Sequence, residues 1–166
     1  AGISTGTNEG IQSSIMYISI YVVMNLGFFC CLLMLKRDGK YYETVEDMSG
    51  LSKNHPMLSF SLLLILFSLA GIPPLAGFFA KFYVFMAVIK SEMYFLAITG
   101  LLSTVIAAFY YLRIIKIIYF DPEKEKFDTH HNIALKVSLF ITTIFILFYF
   151  IFPSTLIQIV SKINVI

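Results

Sequence analysis

The sequence has little charge for its length. Only 13% of its 166 residues are Asp, Glu, Lys or Arg, while 58% are hydrophobic; a typical soluble domain has about 25% charged residues. One soluble domain of this size cannot bury so much apolar surface, which argues against an independent water-soluble enzyme. High hydrophobicity also excludes intrinsic disorder. The net charge of only +2 does not indicate a protein that binds nucleic acid, since such proteins carry a basic surface.

Residues that commonly carry redox or metal chemistry are also scarce. The chain has no Trp, and its two cysteines, Cys30 and Cys31, are adjacent, so we expect neither a disulfide framework nor a metal site and interpret both as small apolar helix residues. The pair His130 and His131 has no further ligands at metal-binding spacing and is interpreted as solvated. Phosphate loops, dinucleotide fingerprints, nucleophile elbows and iron–sulfur cysteine patterns are absent from the sequence. We therefore expect no cofactor and no metal in this chain.

Four apolar segments are long enough to cross a bilayer, whose core of about 30 Å needs roughly 20 residues. They cover about residues 11–35, 57–89, 93–120 and 133–152. Backbone polar groups in lipid must be satisfied within the segment, so these spans are predicted to be helices. The sequence thus predicts an all-α membrane protein with one membrane domain over residues 1–166. Residues 36–56 and 121–132 are predicted to be polar loops.

The distribution of lysine and arginine predicts the orientation. With alternating spans, both long loops share one side, and nine basic residues lie there: Lys36, Arg37, Lys40, Lys53, Arg113, Lys116, Lys124, Lys126 and Lys136. The other side has only Lys90 and Lys162. By the positive-inside rule the loops face the cytoplasm or matrix, and both termini face the periplasm or intermembrane space. Because the chain begins at Ala1 without a signal peptide, we expect it to be one piece of a longer protein.

The second segment is longer than one bilayer crossing needs. Its 33 residues would form a helix about 50 Å long, but Gly71, Pro73, Pro74 and Gly77 lie in its middle. Consecutive prolines remove two backbone donors and clash with the preceding turn, so we predict a discontinuous helix broken at residues 71–74. Such a break is tolerated where it packs against protein or lines a hydrated cavity, and in transporters it lies beside transported ions. A proline kink that only shapes packing is the alternative.

Lys81 is the only charged residue well inside any of the four segments. Ionisable residues within spans are costly, face the interior and commonly mark ion paths. The alternative is a lysine that reaches the membrane surface, but about 8 residues, or about 12 Å of helix, separate it from the end of the segment. We therefore predict that Lys81 takes up and releases protons within the membrane.

Other polar residues recur at helical spacing and form a possible polar path. On the first segment these are Tyr17, Tyr21 and Asn25, and on the third Thr99 and Ser103, with Tyr110 or Tyr111 further along. Hydrogen bonding between tightly packed helices is the alternative for each stripe. The fourth segment is the most uniformly apolar, so we predict that it is peripheral and faces lipid.

The segment HPMLSFSLLLILFSLAGIPPLAGFFAKFYVF closely resembles the broken, lysine-bearing helix of the antiporter-like subunits of respiratory complex I, the proton-translocating NADH:quinone oxidoreductase. Within that family, subunit N (subunit 2 in mitochondria) is the most similar. EDMSGLSKNHP resembles its cytoplasmic or matrix loop, and STVIAAFYYLRIIKIIYFD resembles the following helix. The resemblance covers nearly the whole chain and implies the last four spans of an antiporter-like 14-helix fold.

The resemblance also implies roles and partners. Lys81 matches the family's proton-transfer lysine on the second broken helix, and Gly71, Pro73, Pro74 and Gly77 match the break. It implies a multi-pass subunit of an H⁺-translocating NADH:ubiquinone reductase, with NADH, FMN, iron–sulfur clusters and quinone in other subunits. The implied partners are the other membrane-arm subunits, the remainder of the same subunit N-terminal to Ala1, and the lipid bilayer of an inner membrane, bacterial in slight preference to mitochondrial.

Two alternative functions stay open at this point. The GIPP and lysine pattern is shared with subunits of multisubunit cation/proton antiporters and membrane-bound hydrogenases. A packing scaffold that keeps the fold without moving ions is the other possibility.

Overall fold

The computed structural model describes residues 1–37, 40–41, 44–124, 127–128 and 132–161. Its helices are α1 (Asn8–Met34), α2 (Leu51–Asn54), α3 (Pro56–Ala70), α4 (Ala76–Lys90), α5 (Tyr94–Phe120), α6 (Ile133–Phe148) and α7 (Pro153–Ser161). Short 3-10 turns cover Ile3–Thr5, Val45–Met48 and Tyr149–Ile151. The predicted all-helical character is confirmed. A small antiparallel ladder of β1 (Lys36–Arg37) and β2 (Lys40–Tyr41) lies in a predicted loop and was not expected from the sequence.

Three stretches of the described chain are long and apolar enough to cross a membrane: Asn8–Met34, Tyr94–Phe120 and Ile133–Ile151. Their bounds lie within about three residues of the predicted segments. The remaining predicted span, residues 57–89, is occupied by α3 and α4, each of 15 residues. In the fourth segment the α-helix ends at Phe148 and the chain continues as a 3-10 turn.

Residues 71–75 separate α3 from α4. Gly71 ends α3 in the left-handed region at φ +90°, where glycine has no steric penalty. Its N–H donates to the carbonyls of Phe67 (3.1 Å) and Ser68 (2.9 Å), and the Ile72 N–H donates to Phe67 (3.0 Å). Pro73 and Pro74, which are joined by a cis peptide bond, follow.

The first helix occupies the centre of the molecule. α1 packs against α3, α4 and α6, and its Ile20 and Cys31 have no solvent exposure. Both cysteines are buried free thiols. α5 packs on α3 and leaves most of its apolar surface exposed, with Phe95 at 83%. The outer face of α6 is similarly apolar and exposed, so both faces need lipid or further protein to cover them.

The two predicted loops are joined at one end of the helices. The Ser49 hydroxyl donates to the Pro122 carbonyl (2.6 Å), and the Gly50 N–H donates to the Ile117 carbonyl (3.1 Å). The Lys124 N–H in turn donates to the Ser49 carbonyl (3.3 Å). These bonds connect the segment before α3 to the end of α5. His130 and His131 lie outside the described residues.

Candidate functional site

The amine of Lys81 lies at the C-terminal end of α3. Its Nζ donates hydrogen bonds to the carbonyl oxygens of Leu69 (2.9 Å) and Ala70 (3.2 Å), the last two residues of that helix. The C-terminal end of a helix carries partial negative charge, which favours a cation. Among the described residues no carboxylate forms an ion pair with Lys81. Backbone oxygens therefore supply its electrostatic partner.

The sequence explains why these two carbonyls are available. In a continuous α-helix the carbonyl of residue i accepts from the N–H of residue i+4. The donors for Leu69 and Ala70 would be residues 73 and 74, and both are proline, which has no backbone N–H. The amine of Lys81 therefore contacts the two oxygens that the proline pair leaves without an intrahelical partner.

Ser68 and Gly77 hold the end of α3 against the start of α4. The Gly77 N–H, one of the first-turn donors that a helix leaves unpaired, donates to the Ser68 Oγ at 2.9 Å. The Ser68 hydroxyl itself donates to the Met24 Sδ of α1 at 3.0 Å and is fully buried. A Cβ on Gly77 would overlap the carbonyl oxygen of Ser68. Glycine at position 77 is therefore what allows the two helix ends to meet.

Gly71 makes room for the lysine chain. A Cβ placed on Gly71 would lie 3.1 Å from the Lys81 Cδ and 3.4 Å from its Nζ, so the aliphatic part of Lys81 passes directly over this residue. Gly71 thus adopts the left-handed conformation that ends α3, and its lack of a Cβ leaves space for the Lys81 side chain to reach the helix end.

Lys81 also lines two neighbouring cavities between α1, α4 and α5. One, of about 310 Å³, is lined by four of the predicted polar-path residues, namely Tyr17, Tyr21, Ser103 and Tyr111, together with Lys81 and Gly77. The rings of Tyr17 and Tyr21 are stacked with centroids 6.0 Å apart. The second cavity, of about 360 Å³, shares Tyr17, Ser103 and Lys81 with the first. The structure thus brings these side chains together around the half-buried lysine.

Three predicted polar-path residues do not line either cavity. The Asn25 amide donates to the Tyr21 carbonyl of its own helix (2.8 Å), and the Thr99 hydroxyl donates to the Phe95 carbonyl (2.9 Å). Such back-bonding satisfies a polar side chain within one helix without a partner from another. Tyr110 is 57% exposed on the outer face of α5. These three predicted residues therefore lie outside the two cavities that Lys81 lines.

One residue that lines both cavities was missed. Thr104 lines both cavities, and its hydroxyl donates to the Leu101 carbonyl (2.8 Å). It shares a helix face with Ala107 and Tyr111 at i+3 and i+7, which is the signal that could have identified it. Pro73 and Pro74, which lie between α3 and α4, are both exposed.

Comparisons with known proteins agree on one family. Residues 1–107 match the family described as "NADH:quinone oxidoreductase/Mrp antiporter, TM". A protein of Pelagibacter ubique named NADH-quinone oxidoreductase subunit N is 75% identical over 166 residues, covering 100% of this chain and 35% of the relative. A protein of the same name from Parvibaculum lavamentivorans is 49% identical over 156 residues, covering 94% of this chain and 32% of the relative. The chain therefore spans about a third of the length of these curated relatives.

The fold is also found in a solved structure. A chain of respiratory complex I from Thermus thermophilus, solved with bound aureothin, matches with a TM-score of 0.74 and 22% sequence identity. The match covers 92% of this chain and 35% of that chain. At this identity the likeness shows that the two chains share their helical arrangement.

Proposed function

Because the chain belongs to the NADH:quinone oxidoreductase/Mrp antiporter transmembrane family, we propose that it is the C-terminal portion of a subunit N and takes part in proton translocation by NADH:quinone oxidoreductase. The support is the shared name of the curated relatives, at 75% and 49% identity.

In this proposal α3 and α4 together form one discontinuous transmembrane span. Each has 15 residues and is only about 22 Å long, less than the bilayer core of about 30 Å. Together they are long enough to cross it. With α1, α5 and α6 they make four spans of a 14-helix antiporter-like fold, within one membrane domain over residues 1–166.

Lys81 is the proton carrier in this proposal, and one observation carries the assignment: its Nζ is hydrogen-bonded to the C-terminal end of α3 at the wall of a cavity that is lined by hydroxyl groups. An ammonium group has three donors, and the carbonyls of Leu69 and Ala70 take two. The third is available to a water molecule or hydroxyl in the cavity. Loss of that proton leaves a neutral amine with a lone pair, which can accept the next proton.

The C-terminal end of α3 favours the protonated state of Lys81 over the neutral state. The partial negative charge at the end of α3 attracts the ammonium form, while burial disfavours it. A charge that approaches or leaves the cavity can therefore shift the balance between loading and release. Redox chemistry is assigned to other subunits, which hold NADH, FMN, iron–sulfur clusters and quinone.

We further propose an inner-membrane location, bacterial in slight preference to mitochondrial, with the lysine-rich loops on the cytoplasmic or matrix side. Both termini then face the periplasm or intermembrane space. The partners are the other membrane-arm subunits, the rest of the same subunit and lipid.

Lys81→Met in the full-length subunit, assembled into the enzyme in inner-membrane vesicles, tests the proposal. We expect the rate of proton pumping to fall by at least about ten-fold, because a positioned proton-transfer group typically contributes about 10²–10⁴-fold to the rate of its step. Lys81→Arg and Lys90→Met are the matched controls. Lys90 is an exposed lysine at the end of the same helix and pairs with Glu9, so its loss should leave pumping intact. Unchanged pumping by an assembled Lys81→Met enzyme would support the scaffold function instead.

The antiporter and hydrogenase alternative is tested by co-purification. The proposed function requires NADH-oxidising subunits to co-purify with the full-length chain. Recovery of antiporter subunits alone would contradict it.

A further inference from the structure

A separate cleft lies at the end of the molecule where α3 and α6 begin. It has a volume of about 370 Å³ and lies between the last residue of α1, the first turns of α3 and the first two turns of α6. Its polar lining consists of Asn54, His55, Ser61 and Lys136. None of these four residues lines either cavity of the candidate site.

The polar lining of this cleft complements an anion. Lys136 is exposed in the first turn of α6, and no described carboxylate forms an ion pair with it. None of the described residues that line the cleft is acidic. The N-terminal ends of α3 and α6, which carry partial positive charge, face the same region. Asn54, His55 and Ser61 add hydrogen-bond donors.

The outer rim of the cleft is apolar and exposed. Met57 is 79% exposed and Phe140 is 66% exposed, and both line the cleft. A soluble anion would gain nothing from these side chains. A ligand with an anionic headgroup and acyl chains would contact both parts of the surface.

We propose that this cleft binds an anionic phospholipid, with its phosphate beside Lys136 and its acyl chains along Met57 and Phe140. Basic pockets between helices on the cytoplasmic or matrix side are a recognised setting for such headgroups. The proposal uses the membrane placement of the proposed function and is independent of proton transfer at Lys81.

Photo-crosslinking in the assembled enzyme tests the lipid site. The enzyme is reconstituted into phosphatidylcholine vesicles that contain a minor fraction of phosphatidylglycerol with a diazirine in its acyl chain, and labelled residues are identified by mass spectrometry. We expect labels at Met57 and Phe140. Lys136→Gln should lower this labelling about five-fold, the effect expected for removing one basic residue near the membrane surface. The matched control is Lys53→Gln, because Lys53 is exposed near the same surface but does not line the cleft.

Further measurements distinguish an anionic phospholipid from the other possible ligands of the cleft. Equal labelling by a diazirine phosphatidylcholine would contradict the role of charge. Competition by inorganic phosphate would identify a site for free anions rather than lipid. Absence of labelling by either lipid would mean that another protein surface covers the cleft, and would overturn the proposal. Labelling by phosphatidylglycerol that Lys136→Gln does not reduce would refute the assignment of Lys136.

Discussion

Replacement of Gly77 by alanine is the sharpest test of how the two helix ends are held together. A Cβ at this position would overlap the backbone carbonyl oxygen of Ser68, and a backbone atom cannot move aside by changing rotamer. Since close C···O contacts lie at about 3.3 Å, the start of α4 would have to withdraw from α3 by on the order of 1 Å.

The loss of stability caused by Gly77→Ala has two parts. Forcing an extra methyl group into a well-packed site typically costs about 1–3 kcal/mol. Withdrawal would also stretch the hydrogen bond from the Gly77 N–H to the Ser68 Oγ, now 2.9 Å, and a buried donor without a partner costs about 1–3 kcal/mol. We therefore expect Gly77→Ala to destabilise the subunit by about 2–6 kcal/mol.

Gly100→Ala is the matched control. A Cβ on Gly100 would lie 2.8 Å from an atom of the Phe85 ring, which is a side chain that can rotate. Alanine also gains about 1 kcal/mol over glycine within a helix, so the net effect should be within about 1 kcal/mol. The assay is the temperature of half-inactivation of NADH oxidation in inner-membrane vesicles, together with the amount of assembled enzyme. Equal stability of Gly77→Ala and Gly100→Ala would refute the close contact between Ser68 and Gly77.

Two further predictions concern exposed polar contacts away from the segment that joins α3 to α4. The pKa of Asp47 lies below its ordinary value, mainly because the Thr44 hydroxyl donates a hydrogen bond to the Asp47 carboxylate. The positive charge of Lys124 lowers this pKa further. A carboxyl group with a lowered pKa stabilises the folded loop at neutral pH and loses this effect as the pH falls through that pKa. Thr44→Val should therefore raise the pKa of Asp47 and flatten the acid dependence of hydrogen exchange over residues 44–50. An unchanged pH dependence of this exchange would contradict the role of Thr44. Glu9→Gln removes the ion-pair partner of Lys90, but both side chains are more than half exposed (55% and 57%). The temperature of half-inactivation should therefore show a loss of stability of at most about 1 kcal/mol.

The sequence predicts the helices well because their signals are local. Apolar length identifies α1, α5 and α6, and consecutive prolines mark the point at which α3 ends. The polar path is harder to predict because it depends on rotation about the helix axis. Tyr110 and Tyr111 differ by one position, which is about 100°, and only Tyr111 lines the cavity with Lys81. Nothing in the sequence alone distinguishes them, since their neighbours are unknown until the helices are packed.

The partner of Lys81 illustrates a second reason why part of the site escaped prediction. Side-chain motifs could not reveal it, because its hydrogen-bond acceptors are backbone carbonyls, which every residue has. Yet Pro73 and Pro74 identify which carbonyls lose their donors, since the missing N–H groups are those that Leu69 and Ala70 would use. An unbroken helix would leave no such backbone acceptors beside Lys81, and its half-buried amine would then need a different hydrogen-bond partner. The proline pair and the lysine therefore act as one unit. Because the two prolines have no N–H donors, the carbonyls of Leu69 and Ala70 are free to form a binding site for the cationic side chain.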